Sequence, residues 1–127
     1  MRHFLAALAM VVALPLPALA AELVMVEQPG CAYCRAWNKD VSEEYPKTAE
    51  GRAAPLVRVQ KDDIATSGIT LARPVNFTPT FILTEDGREL ARIEGYPGED
   101  FFWGLLGMML KAQDIPVGDP AEAVLDG

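Results

Sequence analysis

Cys31 and Cys34 are the only cysteines in the 127-residue chain, and just Ala32 and Tyr33 separate them. Two thiols this close suit disulfide exchange, in which a thiolate attacks a disulfide sulfur and a second thiol resolves the mixed disulfide. A structural crosslink is the poorer reading. Closing a loop of roughly 15 residues stabilises a fold by about 3 kcal/mol, and a four-residue loop removes much less chain entropy. A structural zinc site wants four Cys or His ligands, but the one histidine, His3, sits in an apolar N-terminal stretch. A c-type haem attachment needs His directly after the second cysteine, where Arg35 stands.

Exchange requires that one thiol ionise easily. Gln28-Pro29-Gly30 reads as a turn after an apolar run, which starts a helix near Cys31. A cysteine there meets the positive end of the helix dipole and unpaired backbone N–H groups, both favouring its anion. Cys34, one turn inward on the apolar side, is expected to be shielded. Cys31 is therefore the expected attacker and Cys34 the resolver, within reach because residues three apart share a helix face. Glu27, four residues upstream of Cys31, is the nearest preceding acid and a candidate proton relay for resolution. Arg35 reads as a solvated helix charge.

The elements that must position this pair follow from patterning. Leu23-Val24-Met25-Val26 is a short, β-branched apolar run and reads as a buried strand. From Cys31 to about Tyr45, Tyr33, Cys34, Trp37 and Val41 recur at helical spacing, and Pro46 limits the helix. Gly51 to Pro55 reads as a connector and Leu56 to Val59 as a second strand, giving a right-handed parallel strand–helix–strand unit. Lys61 to Phe77 reads as irregular, with a helical turn expected near Ile69 to Ala72. Thr80 to Thr84 and Arg88 to Glu94 flank Glu85-Asp86-Gly87, the signature of a tight hairpin. The last helix is expected over about Glu99 to Gln113, with Phe102, Leu105, Leu106 and Met109 facing the core. Its uncharged stretch of ten residues, Phe101 to Leu110, is too short to span a membrane.

The ends carry targeting information. Arg2, an uncharged apolar stretch from Phe4, and Ala18-Leu19-Ala20 follow the order of a secretory signal, with cleavage expected after Ala20. Residues 21–127 then form one domain, with Pro116, Gly118 and Pro120 marking a loosely attached tail over about 115–127. That leaves room for one modest core. The net charge of −7 disfavours nucleic acid and anionic membrane surfaces as partners.

With Cys31-Ala32-Tyr33-Cys34 at a strand-to-helix turn, Thr78-Pro79 opening the hairpin and Gly95 after it, the chain resembles the thioredoxin superfamily across nearly its whole length. The resemblance implies a compact α/β fold, a four-stranded mixed sheet of order 2-1-3-4 flanked by helices. It also implies a cis Pro79 beside the dithiol, with the backbone of Thr78 pairing with an extended client segment. Pro29 to Trp37, Tyr45 to Gly51 and Phe77 to Phe81 resemble the SoxS-type periplasmic thioredoxins. From these come the expectations of a periplasmic, monomeric reductase that needs no cofactor beyond its redox-active disulfide. Its expected partners are a thiol- or disulfide-bearing protein, such as a sulfur-carrier protein of sulfur oxidation, and a membrane thiol electron donor.

Two departures from ordinary thioredoxins stand out. Met25 occupies the position, six before Cys31, where those proteins carry a buried acid, and Gly30 replaces a tryptophan. Two other activities use the same dithiol: a disulfide oxidase or isomerase of the same fold, and a Cu(I) carrier, since soft thiolates suit that metal.

Overall fold

A computed structural model describes residues 8–13 and 20–118. The expected signal, 1–20, lies largely outside the described residues, as does the tail from 119 onward. Strand β1 (Ala21–Glu27) leads into helix α1 (Ala32–Trp37), a π-helical turn (Asn38–Ser42), a 3-10 turn (Tyr45–Lys47) and helix α2 (Ala49–Ala53). Strand β2 (Leu56–Gln60), a 3-10 segment (Lys61–Thr66), strands β3 (Thr80–Glu85) and β4 (Arg88–Glu94), and helix α3 (Glu99–Ala112) complete the chain. The sheet order is β2-β1-β3-β4, with β1 parallel to β2 and antiparallel to β3, and β3 antiparallel to β4. Asp86 and Gly87 both have positive φ, as a two-residue hairpin turn requires.

The helix expected from Cys31 to Tyr45 is interrupted. Trp37, Val41 and Tyr45 are all fully buried at steps of four residues. Four residues overshoot one α-helical turn, so an unbroken helix would carry the third of them off the core face. The wider π turn takes that rotation back. The connector expected over Gly51 to Pro55 is mostly helix α2, whose start is capped by Thr48 Oγ1 accepting from the Gly51 N–H at 2.9 Å. Gly51 is a contact glycine, not a loop glycine: a Cβ there would lie 1.7 Å from the Tyr45 carbonyl oxygen. The Tyr45 hydroxyl in turn donates to the Ala54 carbonyl at 2.6 Å, locking α2 onto the core.

The main core lies between one sheet face and the helices, where Trp37, Phe81 and Phe102 pack with ring centroids 4.9–5.7 Å apart. On α3 the buried set is Phe102, Leu106, Met109 and Leu110. Leu105, expected inside, is 40% exposed, because the packed stripe follows the four-residue steps from Phe102 through Leu106 to Leu110. Phe101 and Met108 are exposed. Ile115 packs on this core and its N–H donates to the Leu110 carbonyl at 2.9 Å.

Among the described residues the opposite face of the sheet carries no α-helix. Val24, Val26 and Ile82 are covered by the connector between β2 and β3, through Ile64, Ile69, Leu71 and Val75. The helical turn of this connector falls at Lys61–Thr66, ahead of the expected Ile69 to Ala72, because Thr70 instead bridges Arg88 on the outer edge of β4.

Candidate functional site

Cys31 and Cys34 are joined by a disulfide at the start of α1. Cys31 is the N-cap residue, and its Sγ accepts a hydrogen bond from the Cys34 backbone N–H at 3.1 Å. That donor is poised to stabilise negative charge on the sulfur once the bond is reduced. The two sulfurs differ in access: Cys31 is half-buried, whereas Cys34 is 3% exposed and belongs to the core with Met25 and Trp37.

Across from the dithiol, the segment ahead of β3 carries Thr78 and Pro79, joined by a cis peptide bond. Pro79 is buried, and its carbonyl accepts from the Gly95 N–H at 2.7 Å, continuing the β3–β4 ladder by one bond. Thr78 is half-buried, and its Oγ1 accepts from Gln28 Nε2 at 2.9 Å, tying the turn before Cys31 to the turn before β3. Among the described residues the Thr78 backbone N–H and C=O make no hydrogen bond, which leaves both free for an incoming strand.

An open groove of about 490 Å³ runs beside this pair, lined by Tyr33, Phe77, Thr78, Gly95, Tyr96 and Pro97, with Glu94. Tyr33 was expected on the apolar face of its helix but is 65% exposed. Phe77 is 60% exposed, so both rings face solvent at the groove. Tyr96 is buried, and its hydroxyl donates to Asp40 Oδ2 at 2.8 Å, fastening the β4–α3 loop to the π turn after α1. Burial first, then the hydrogen bond and charge of Asp40 and the charges of Glu99 and Asp100, push the Tyr96 phenol well above its ordinary range. Gln28, Phe77 and Tyr96 are site residues that sequence reading missed. The available signal was their adjacency to Cys31, Thr78 and Gly95.

Glu27 ends β1 with its carboxylate taken up by Arg58, whose Nη1 donates to Oε2 at 2.7 Å. The Arg58 guanidinium also donates to Ser42 Oγ at 2.8 Å, lies 3.6 Å from Met25 Sδ and sits 5.7 Å over the Trp37 ring. Glu27 is hydrogen-bonded to neither cysteine. Among the described residues no cluster of three or more His, Cys, Asp or Glu side chains is arranged to hold a metal ion. No helix among them is long and apolar enough to cross a membrane.

The thioredoxin-like domain family matches residues 20–109. A crystal structure of the periplasmic thioredoxin SoxS from Paracoccus pantotrophus, in its reduced form, is 52% identical with a TM-score of 0.69. The match covers 72% of this chain and 96% of that one. A thioredoxin from Malassezia sympodialis shares the fold at 16% identity and a TM-score of 0.53, over 71% of this chain and 77% of that one. No curated protein sequence matches the chain.

Proposed function

Because the chain belongs to the thioredoxin-like family of thiol-disulfide oxidoreductases, we propose that it is an exported, periplasmic reductase of disulfides in partner proteins. The observation that carries this reading is the asymmetric Cys31–Cys34 disulfide, one sulfur accessible and the other buried, beside a groove with a free backbone edge at Thr78.

In the reduced protein the Cys31 thiolate attacks one sulfur of the client disulfide. A Cys31–client bond forms, the client bond breaks, and the departing client sulfur leaves as a thiolate that takes up a proton. Cys34 then loses its proton and attacks Cys31 Sγ, closing the intramolecular disulfide and releasing the second client thiol. Two electrons pass from the dithiol to the client, and a membrane thiol donor restores the pair. The Cys34 N–H, 3.1 Å from Cys31 Sγ, lowers the cost of the attacking thiolate. Thr78 offers its backbone to an extended client segment, with Pro79 beneath it and the Tyr33 and Phe77 rings beside it. Glu27 is the proposed proton relay, with Arg58 as its partner.

The relative solved in reduced form supports a periplasmic setting, and a sulfur-carrier protein is the proposed client. Direction separates this reading from that of an oxidase or isomerase. Related dithiols span about −270 to −120 mV. Equilibration with glutathione, combined with insulin reduction, tests it. A reducing potential with turnover is expected. A potential at the oxidising end, with the pair disulfide-bonded in cells, refutes it.

A further inference from the structure

The connector that covers the second sheet face ends as a strap along the outer edge of β4. Thr70 makes two backbone hydrogen bonds there, its N–H donating to the Gly87 carbonyl at 2.8 Å and its carbonyl accepting from the Glu89 N–H at 2.9 Å. Beyond Thr70 the strap has no ladder and is held by side chains. Arg92 Nη2 donates to the Arg73 carbonyl at 2.7 Å and Nη1 to the Pro74 carbonyl at 3.0 Å. Arg92 Nε donates to Glu89 Oε2 at 2.8 Å, and Glu89 Oε1 accepts from the Ala72 N–H at 3.1 Å. Both side chains are only 3% exposed.

An ion pair buried this way is weak evidence of stabilisation, since apolar residues of similar volume often serve a fold as well. What an apolar pair cannot do is hold irregular backbone by its polar groups. Here one guanidinium donates to two successive carbonyls while its carboxylate partner takes an N–H one residue before them. The pinned stretch is the one that delivers the groove. Four residues span at most about 14 Å, so fixing Pro74 confines Thr78, and Thr80 Oγ1 fastens the Phe77 carbonyl from the other side at 2.6 Å.

We infer that Glu89 and Arg92 are positioning residues for client binding, holding residues 70–74 on the edge of β4 so that Phe77 and Thr78 stand beside the dithiol. The inference rests on the reductase reading for its kinetic consequence and on geometry alone for its structural one.

Two variants test it. Glu89→Leu combined with Arg92→Met keeps the site filled without leaving a lone buried charge. Arg92→Lys keeps the charge beside Glu89 but lacks the fork that reaches both carbonyls. In the double variant the KM for insulin is expected to rise about tenfold, the scale of one lost charge-assisted hydrogen bond. Its kcat, and its rate with the small disulfide dithionitrobenzoate, stay at wild-type values. Exchange of the strap's hydrogen-bonded amides, Thr70, Ala72 and Glu89, accelerates while β1 and β3 remain protected. Arg92→Lys shifts the same readouts in the same direction by less. A wild-type KM, unchanged exchange at Thr70 and Glu89, or an equal loss toward insulin and the small disulfide overturns the assignment. Should the wild-type protein fail to reduce insulin, the reductase reading falls, and the exchange measurement alone decides whether the pair positions the segment.

Discussion

Replacing Tyr96 by Phe deletes one hydroxyl and tests how the groove is fastened to the helix that bears the dithiol. The Tyr96 phenol is 8% exposed and donates to Asp40 Oδ2 at 2.8 Å, across 56 residues of sequence. Hydrogen bonds to charged groups contribute about 1.5–3 kcal/mol. Asp40 is exposed and regains water when the partner is lost, so the expected cost lies at the low end, about 1–2 kcal/mol. For a domain of this size each kcal/mol lowers Tm by about 4–8 °C. Thermal unfolding of Tyr96→Phe, Asp40→Ala and the double variant at pH 7 is expected to give a coupling of about 1 kcal/mol. The sign with pH follows from the raised phenol pKa. The fold favours the neutral phenol, so its contribution is full below the ordinary tyrosine value of about 10 and fades as pH rises beyond it. Tyr96→Phe therefore flattens part of the alkaline loss of stability; the remainder belongs to Tyr45, raised by burial and by the charge of Glu50. A coupling below about 0.3 kcal/mol, within ordinary additivity error, would mean that the Tyr96–Asp40 bond does not fasten the loop.

Phe102→Ala empties a site that contacts Phe81 at 4.9 Å and Trp37 at 5.7 Å between ring centroids, and denaturant unfolding is expected to register a loss of about 3–5 kcal/mol. Burial pushes the Glu89 carboxyl up, but bonds from Arg92 and the Ala72 N–H and the charges of Arg92 and Arg73 outweigh it and hold it below its usual range. Its contribution is therefore full above the ordinary carboxylate value of about 4.3 and is lost as pH falls below it; acid titration of stability in Glu89→Gln should lack that limb. Glu27→Gln is expected to alter the pH dependence of the resolution step, followed by single-turnover kinetics, and an unchanged profile removes Glu27 from proton transfer.

Legibility in sequence tracked how local the physics is. The hairpin was readable because Asp86-Gly87 demands a particular turn, and the strands because Leu23 to Val26 and Leu56 to Val59 are short apolar runs. The sheet order rested on family resemblance, since no local pattern encodes which strands become neighbours. Helix α2 was hidden because Gly51 is required by the close approach of the Tyr45 carbonyl, not by a turn. The π turn was hidden because i, i+4 spacing looks the same in a helix that continues and in one that unwinds. The strap on β4 uses side-chain bonds to irregular backbone, which leave no periodicity to read. At the site the two cysteines were evident from their type and spacing, whereas the roles expected of Thr78 and Pro79 rested on the family resemblance, since a proline ahead of a strand looks the same without any client to bind. The exposed ring of Tyr33 was not, because one helical repeat cannot say which side of the stripe is covered.

The proposed reductase divides its chemistry between a half-buried Cys31 that attacks and a buried Cys34 that resolves. Reduced Cys34→Ser and Cys31→Ser proteins, each mixed with a disulfide-bearing client and followed by intact-mass analysis, test it most directly. Cys34→Ser is predicted to accumulate a stable one-to-one mixed disulfide on Cys31, while Cys31→Ser forms adducts far more slowly. Equal rates for the two variants, or an adduct found on Cys34, would mean that Cys31 is not the attacking thiol.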